Sequence, residues 1–117
     1  MPEKSSSSVR VFYPKYEREQ LIKLLKERVK ALKKKMPLVK VVLFGSYARG
    51  NYNAFSDVDI LVIYKDPKDS QDYKKVRKTL NLPGIEVHVY TVSEYRNLKE
   101  IIDRMISGGV ELLEQEN

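Results

Sequence analysis

The stretch LFGSYARGNYNAFSDVDILVIY, Leu43 to Tyr64, restricts the possible folds more than any other part of the chain. One apolar, β-branched run (Leu38 to Phe44) closes on Gly45-Ser46, and a second (Asp57 to Tyr64) opens with Asp57-Val58-Asp59. Strand residues two apart share a face, so Asp57 and Asp59 are expected to aim together while Val58 and Ile60 enter the core. Two carboxylates on one side of a half-buried strand repel each other and are costly without a partner. The pattern predicts two neighbouring strands whose ends offer polar groups to something positive.

The rest of the chain supplies the helices. From about Tyr16 to Met36, Leu21, Leu25, Val29, Leu32 and Met36 fall along one helical stripe, widened by Ile22 and Leu24, and Pro37 stops it. Tyr47 to Asn53 reads as a short turn or helical turn and a loop. After Asp66-Pro67, Asp69 or Ser70 can cap a helix with Tyr73, Val76 and Leu80 on one face, ended by Asn81 to Gly84. Ile85 to Tyr90 is a third strand, with Ile85, Val87 and Val89 towards the core and Glu86, His88 and Tyr90 opposite. Thr91 and Glu94 have capping-box spacing. The helix that follows is expected to bury Leu98, Ile101, Ile102 and Met105 and to close at Gly108-Gly109. The final VELLEQEN is either a short edge strand or a frayed tail.

This order predicts an α/β (α+β) fold, a small mixed sheet with helices packed on it; it leaves the strand order open. A chain of 117 residues suits one domain, residues 13–117, behind a loose arm, residues 1–12, whose Ser5 to Ser8 have little to bury.

Composition removes several classes of function. Without cysteine there is neither a disulfide framework nor a thiolate metal site. No apolar run approaches the roughly 20 residues that span a bilayer, and MPEKSSSSVR lacks the apolar segment of a secretory signal. The expectation is a cytoplasmic protein without a membrane partner. The net charge of +6 is concentrated: Lys15 to Lys35 holds nine basic and three acidic residues, and the remainder is balanced. Such a helix is either a solvated face or a surface for an acidic partner, nucleic acid included.

Asp57 and Asp59 offer the hard oxygen ligands that suit Mg²⁺, which takes one or two carboxylates and completes its shell with water and substrate phosphates. At the neighbouring strand end, Gly45 lets the backbone turn tightly towards a ligand. Backbone N–H groups and the Ser46 hydroxyl can hold phosphate oxygens there. Jointly the two strand ends describe a nucleoside triphosphate and its cation.

Gly45-Ser46, ten residues, then Asp57-Val58-Asp59-Ile60 resembles the signature of the DNA polymerase beta-like nucleotidyltransferase superfamily. More narrowly, GSYARG followed by SDVDILV is similar to the minimal nucleotidyltransferases of archaea and bacteria. The resemblance spans roughly residues 16 to 107. It implies transfer of a nucleoside monophosphate from an NTP to a hydroxyl with two Mg²⁺ ions. It implies that Asp57 and Asp59 are metal ligands, that Gly45 and Ser46 hold the β- and γ-phosphates, and that Arg49 is a helper on the triphosphate. A third metal carboxylate is also implied; Glu86 is the candidate, with His88 as a neighbour of the site, or at the site itself if the register is displaced by two. Tyr47 and Tyr52 either stack on a base or only pack the loop, and Ser56 either orients Asp57 or starts the strand.

The resemblance further implies a helical HEPN-type partner, ATP as donor, and a toxin–antitoxin pair in which the small transferase adds AMP to its partner. The chain leaves little room for an acceptor-binding domain, so the expectation is that it acts on a partner protein, works in an oligomer, or has lost efficient chemistry. Two rival readings remain: an antitoxin that neutralises by occlusion without chemistry, and a nucleic-acid binder built on the basic helix at residues 15–35.

Overall fold

The computed structural model describes residues 16–114. The arm expected at residues 1–12 and the end of the tail lie outside the described residues. The elements follow in the order α1 (Arg18–Lys33), β1 (Leu38–Phe44), α2 (Ser46–Arg49), β2 (Val58–Tyr64), α3 (Asp72–Leu80), β3 (Ile85–Thr91), α4 (Val92–Asn97), α5 (Lys99–Met105) and β4 (Val110–Glu111). The strands form one sheet in the order β3-β2-β1-β4. β1 pairs antiparallel with β2 and with β4, while β2 and β3 run parallel. A parallel pair needs a long crossover, and α3 supplies it. This is the mixed sheet with packed helices that the sequence predicts.

The sheet separates two apolar layers. On one face Val41, Leu43, Val58, Ile60, Val62, Ile85 and Val87 pack with Leu21, Leu25, Val29 and Leu32 of α1 and with Val76 and Leu80 of α3. The i, i+4, i+8 spacing along α1 produces that stripe and leaves its lysines outside. On the other face Val42, Phe44, Leu61 and Ile63 pack against Ile102, with Tyr90, Val92, Tyr95, Met105 and Ile106 at the margin. Among the described residues nothing covers this second face at Glu86, which is exposed.

Four local expectations are corrected. Tyr73 is half exposed, and Asp72 takes the buried place on α3, because residues 72, 76 and 80 line up more closely than 73, 76 and 80. Gln71 is the N-cap of α3 and makes no side-chain cap bond; the Asp69 carboxylate accepts instead from the Gln71 N–H at 2.8 Å, ahead of the helix. The last helical segment breaks at Leu98 (φ −115°, ψ 18°) into α4 and α5. The break turns α5 so that Ile102 is buried while Leu98 and Ile101 are exposed. Ser56 holds its own loop, its Oγ accepting from the Asn53 N–H at 2.9 Å. The described part of the tail is an edge strand: β4 pairs with β1, and the Leu112 N–H donates to the Val41 carbonyl at 2.8 Å.

Candidate functional site

Register assembles the site. Phe44 of β1 lies opposite Asp59 of β2, and Asp59 lies opposite Glu86 of β3. The three form one row across the sheet, on the uncovered end of its second face. His88, two residues beyond Glu86, shares that face. One oxygen each of Asp59 and Glu86 and a ring nitrogen of His88 lie within 4.8 Å of one another. Asp57 is exposed, one residue before β2 begins; it stands outside this trio but close enough for Asp59 to feel its charge.

Gly45 follows Phe44 and so sits beside Asp59. Its φ of +79° is open to glycine, and a Cβ there would lie 2.5 Å from Asp59 Oδ2. Backbone and carboxylate therefore meet as closely as a glycine allows. Ser46 then opens α2, and Arg49 ends it, exposed to solvent. The loop from Asn51 to Asp57 is pinned by Asn53, whose Oδ1 accepts from the Phe55 N–H at 2.8 Å. Phe55 itself is 76% exposed at the tip.

The electrostatics are those of a donor set short of positive charge. Burial holds the Asp59 carboxyl above its ordinary range; His88 pulls it down, and Glu86 and Asp57 push it further up. Two hard carboxylate oxygens and an imidazole nitrogen at this spacing fit a divalent cation, which would relieve that repulsion.

Two residues support the site, and the first, Arg18, has no signal in the local sequence. Arg18 of α1 donates from Nε to the Tyr47 carbonyl at 2.9 Å and from Nη2 to the Ala48 carbonyl at 3.2 Å. It ties α2 to α1 across about thirty residues of chain, a pairing that only the fold creates. The second supporting residue is His88, which the sequence offers as a neighbour of the site or as a substitute for Glu86; the structure brings both near Asp59. Tyr47 and Tyr52 stack on each other, with ring centroids 4.4 Å apart and planes at 14°, and Tyr47 is fully buried. They pack the loop, and Tyr47 has no free face for a base. A hollow of about 470 Å³ is lined by Val29, Lys30, Lys33, Lys34, Leu112, Leu113 and Glu114. It lies on the α1 side, holds no convergent acids, and is not where this chemistry sits.

Residues 19–109 match the nucleotidyltransferase domain family. A Methanocaldococcus jannaschii protein named as a candidate protein adenylyltransferase is 31% identical over 98 residues, covering 80% of this chain and 99% of that one. A crystal structure named as a candidate nucleotidyltransferase of Sulfolobus solfataricus superposes with a TM-score of 0.58 at 27% identity, covering 80% of each chain. A tri-AMPylated Shewanella oneidensis HEPN toxin in complex with an MNT antitoxin gives a TM-score of 0.52 at 20% identity, covering 80% of this chain and 73% of that one; the likeness is one of fold.

Proposed function

Because the chain belongs to the nucleotidyltransferase domain family and is an enzyme of that type, we propose that it transfers AMP from ATP to a hydroxyl of a helical HEPN-type protein, and that the two form a toxin–antitoxin pair. The observation that carries the chemistry is the contact of the Gly45 backbone with Asp59, with Glu86 in the adjacent register position. The support for a protein acceptor is the adenylyltransferase relative and the HEPN–MNT neighbour.

In this reading Asp57, Asp59 and Glu86 hold two Mg²⁺ ions. When bound, such ions neutralise the triphosphate and activate the attacking hydroxyl. The Gly45-Ser46 backbone and the Ser46 hydroxyl bind the β- and γ-phosphate oxygens, and the Arg49 guanidinium reaches the same oxygens by its fork of donors. The acceptor oxygen forms a bond to the α-phosphorus while the bond to the bridging oxygen of the β-phosphate breaks. Pyrophosphate leaves, and Glu86 accepts the hydroxyl proton. Gly45 matters because a side chain there would take the place of either the phosphates or the carboxylate.

The test is incubation with ATP labelled at the α-phosphate, Mg²⁺ and purified HEPN-type proteins as candidate acceptors. Label should appear on the partner, and no label should transfer from γ-labelled ATP. Equal labelling by wild type and by Asp57→Asn/Asp59→Asn would show that the assigned site is wrong. Should that double variant still neutralise the partner in cells, occlusion rather than transfer is the mechanism.

A further inference from the structure

We propose that His88 is a metal ligand, and that its Nε2 joins Asp59 and Glu86 in a mixed nitrogen–oxygen site that prefers Mn²⁺ to Mg²⁺. The inference rests on the proposed nucleotidyl-transfer site and revises one of its two cations.

Among the described residues His88 Nε2 has no hydrogen-bond partner and is itself shielded, although the side chain as a whole is 29% exposed. Its nearest acid oxygen, Asp59 Oδ1, is 3.8 Å away, too far for a hydrogen bond. Burying a ring nitrogen with nothing to bond costs free energy. If the position needed only an aromatic packed on Phe44, whose ring centroid lies 5.2 Å from that of His88, phenylalanine would avoid the cost. The nitrogen instead converges with the two carboxylates to within 4.8 Å. An ion with bonds of about 2.1 Å spans donors up to about 4.2 Å apart, so small side-chain rotations close the site. Phe44 limits how the ring can turn away, and the Gly45 contact limits Asp59 in the same manner.

The donor chemistry then decides the ion. Mg²⁺ favours an all-oxygen shell of carboxylate, phosphate and water, whereas imidazole suits first-row transition ions. One nitrogen beside two carboxylates tilts the site towards Mn²⁺ and its neighbours.

His88 is the only histidine of the chain, so the untagged protein gives one imidazole spectrum. In ¹⁵N-labelled protein at neutral pH, with and without a non-hydrolysable ATP analogue, diamagnetic Zn²⁺ should shift the Nε2 resonance. Mg²⁺ should leave it unchanged, and Asp59→Asn should remove the Zn²⁺ shift. Competition between Mn²⁺ and Mg²⁺ should favour Mn²⁺ by roughly tenfold or more in the wild type, and that preference should shrink in His88→Ala. The spectrum of the wild type stands even if the variant folds poorly. If Zn²⁺ binds through Asp59 while Nε2 does not move, the inference is overturned and the carboxylate site survives. If no divalent ion binds in either condition, the inference and the proposed site fall together.

Discussion

A Cβ on residue 45 would push on the carboxylate of Asp59. It would lie 2.5 Å from Asp59 Oδ2, on a backbone with φ +79°. Gly45→Ala is therefore expected to lose about 1 kcal/mol of stability from the left-handed backbone alone. Displacing Asp59 by even ~1 Å is expected to lower AMP transfer by about 100-fold. Urea titration and labelled-ATP assays separate the two effects; transfer at the wild-type rate would mean that Asp59 is free to move without loss. Tyr47 offers the opposite case. Its ring is fully buried between Tyr16 and Tyr52, yet its hydroxyl has no partner among the described residues. Tyr47→Phe removes an unsatisfied group, so its stability should equal the wild type or exceed it by up to about 1 kcal/mol. A clear loss in the urea midpoint would reveal a partner for that hydroxyl.

Elements here are held more by their ends and their burial than by propensity. The capping box of α4 is complete: the Thr91 hydroxyl accepts from the Glu94 N–H at 3.2 Å, and Glu94 Oε1 accepts from the Thr91 N–H at 3.0 Å. Lys68 and the Thr91 backbone hold the Glu94 carboxyl below its ordinary range, and the Asp66 carboxylate accepts from the next free donor, the Ser93 N–H, at 3.1 Å. The turn from β3 into α4 thus rests on three side chains. Thr91→Ala should cost about 1 kcal/mol, read as a lower denaturant midpoint. Because Glu86 lies near the other end of β3 and His88 at its middle, the variant should keep most of the metal affinity proposed for them; loss of both together would show that α4 props the site directly.

For the molecule as a whole, alkaline pH probes the layer beneath the sheet. Tyr64 ends β2 inside the core shared with α1 and α3, and burial, with the Asp72 carboxylate beside it, pushes its phenol up to about 12 from an ordinary 10.0. The folded-state value lies above the unfolded one. The stabilisation is therefore whole below pH 10 and is lost as the pH rises towards 12. The stability of the wild type should fall across that window, and the fall should be shallower in Tyr64→Phe. Equal slopes would mean that other groups carry the alkaline transition. The basic face of α1 does not need a nucleic-acid partner to exist: Lys30 pairs with Glu114 at 3.6 Å, and Lys35 donates to the Thr79 hydroxyl at 3.4 Å.

Local pattern alone located every strand from β1 to β3, the α1 stripe and the Thr91–Glu94 box, since each depends on residues within a few positions of one another. It also marked Gly45, Ser46, Asp57 and Asp59, because a glycine turn after one apolar run and acids inside another are legible without knowing what they touch; Glu86 entered only through the family resemblance. What local pattern could not contain was the pairing of strands far apart in the chain. The register of β2 on β3 set Asp59 against Glu86, left Asp57 before the strand, and brought His88 in beside the pair instead of in place of it. The break at Leu98 undid the single apolar face of the last helix for the same reason. Spacing predicts a face only while the backbone stays regular, and where it bends is settled by what it packs against.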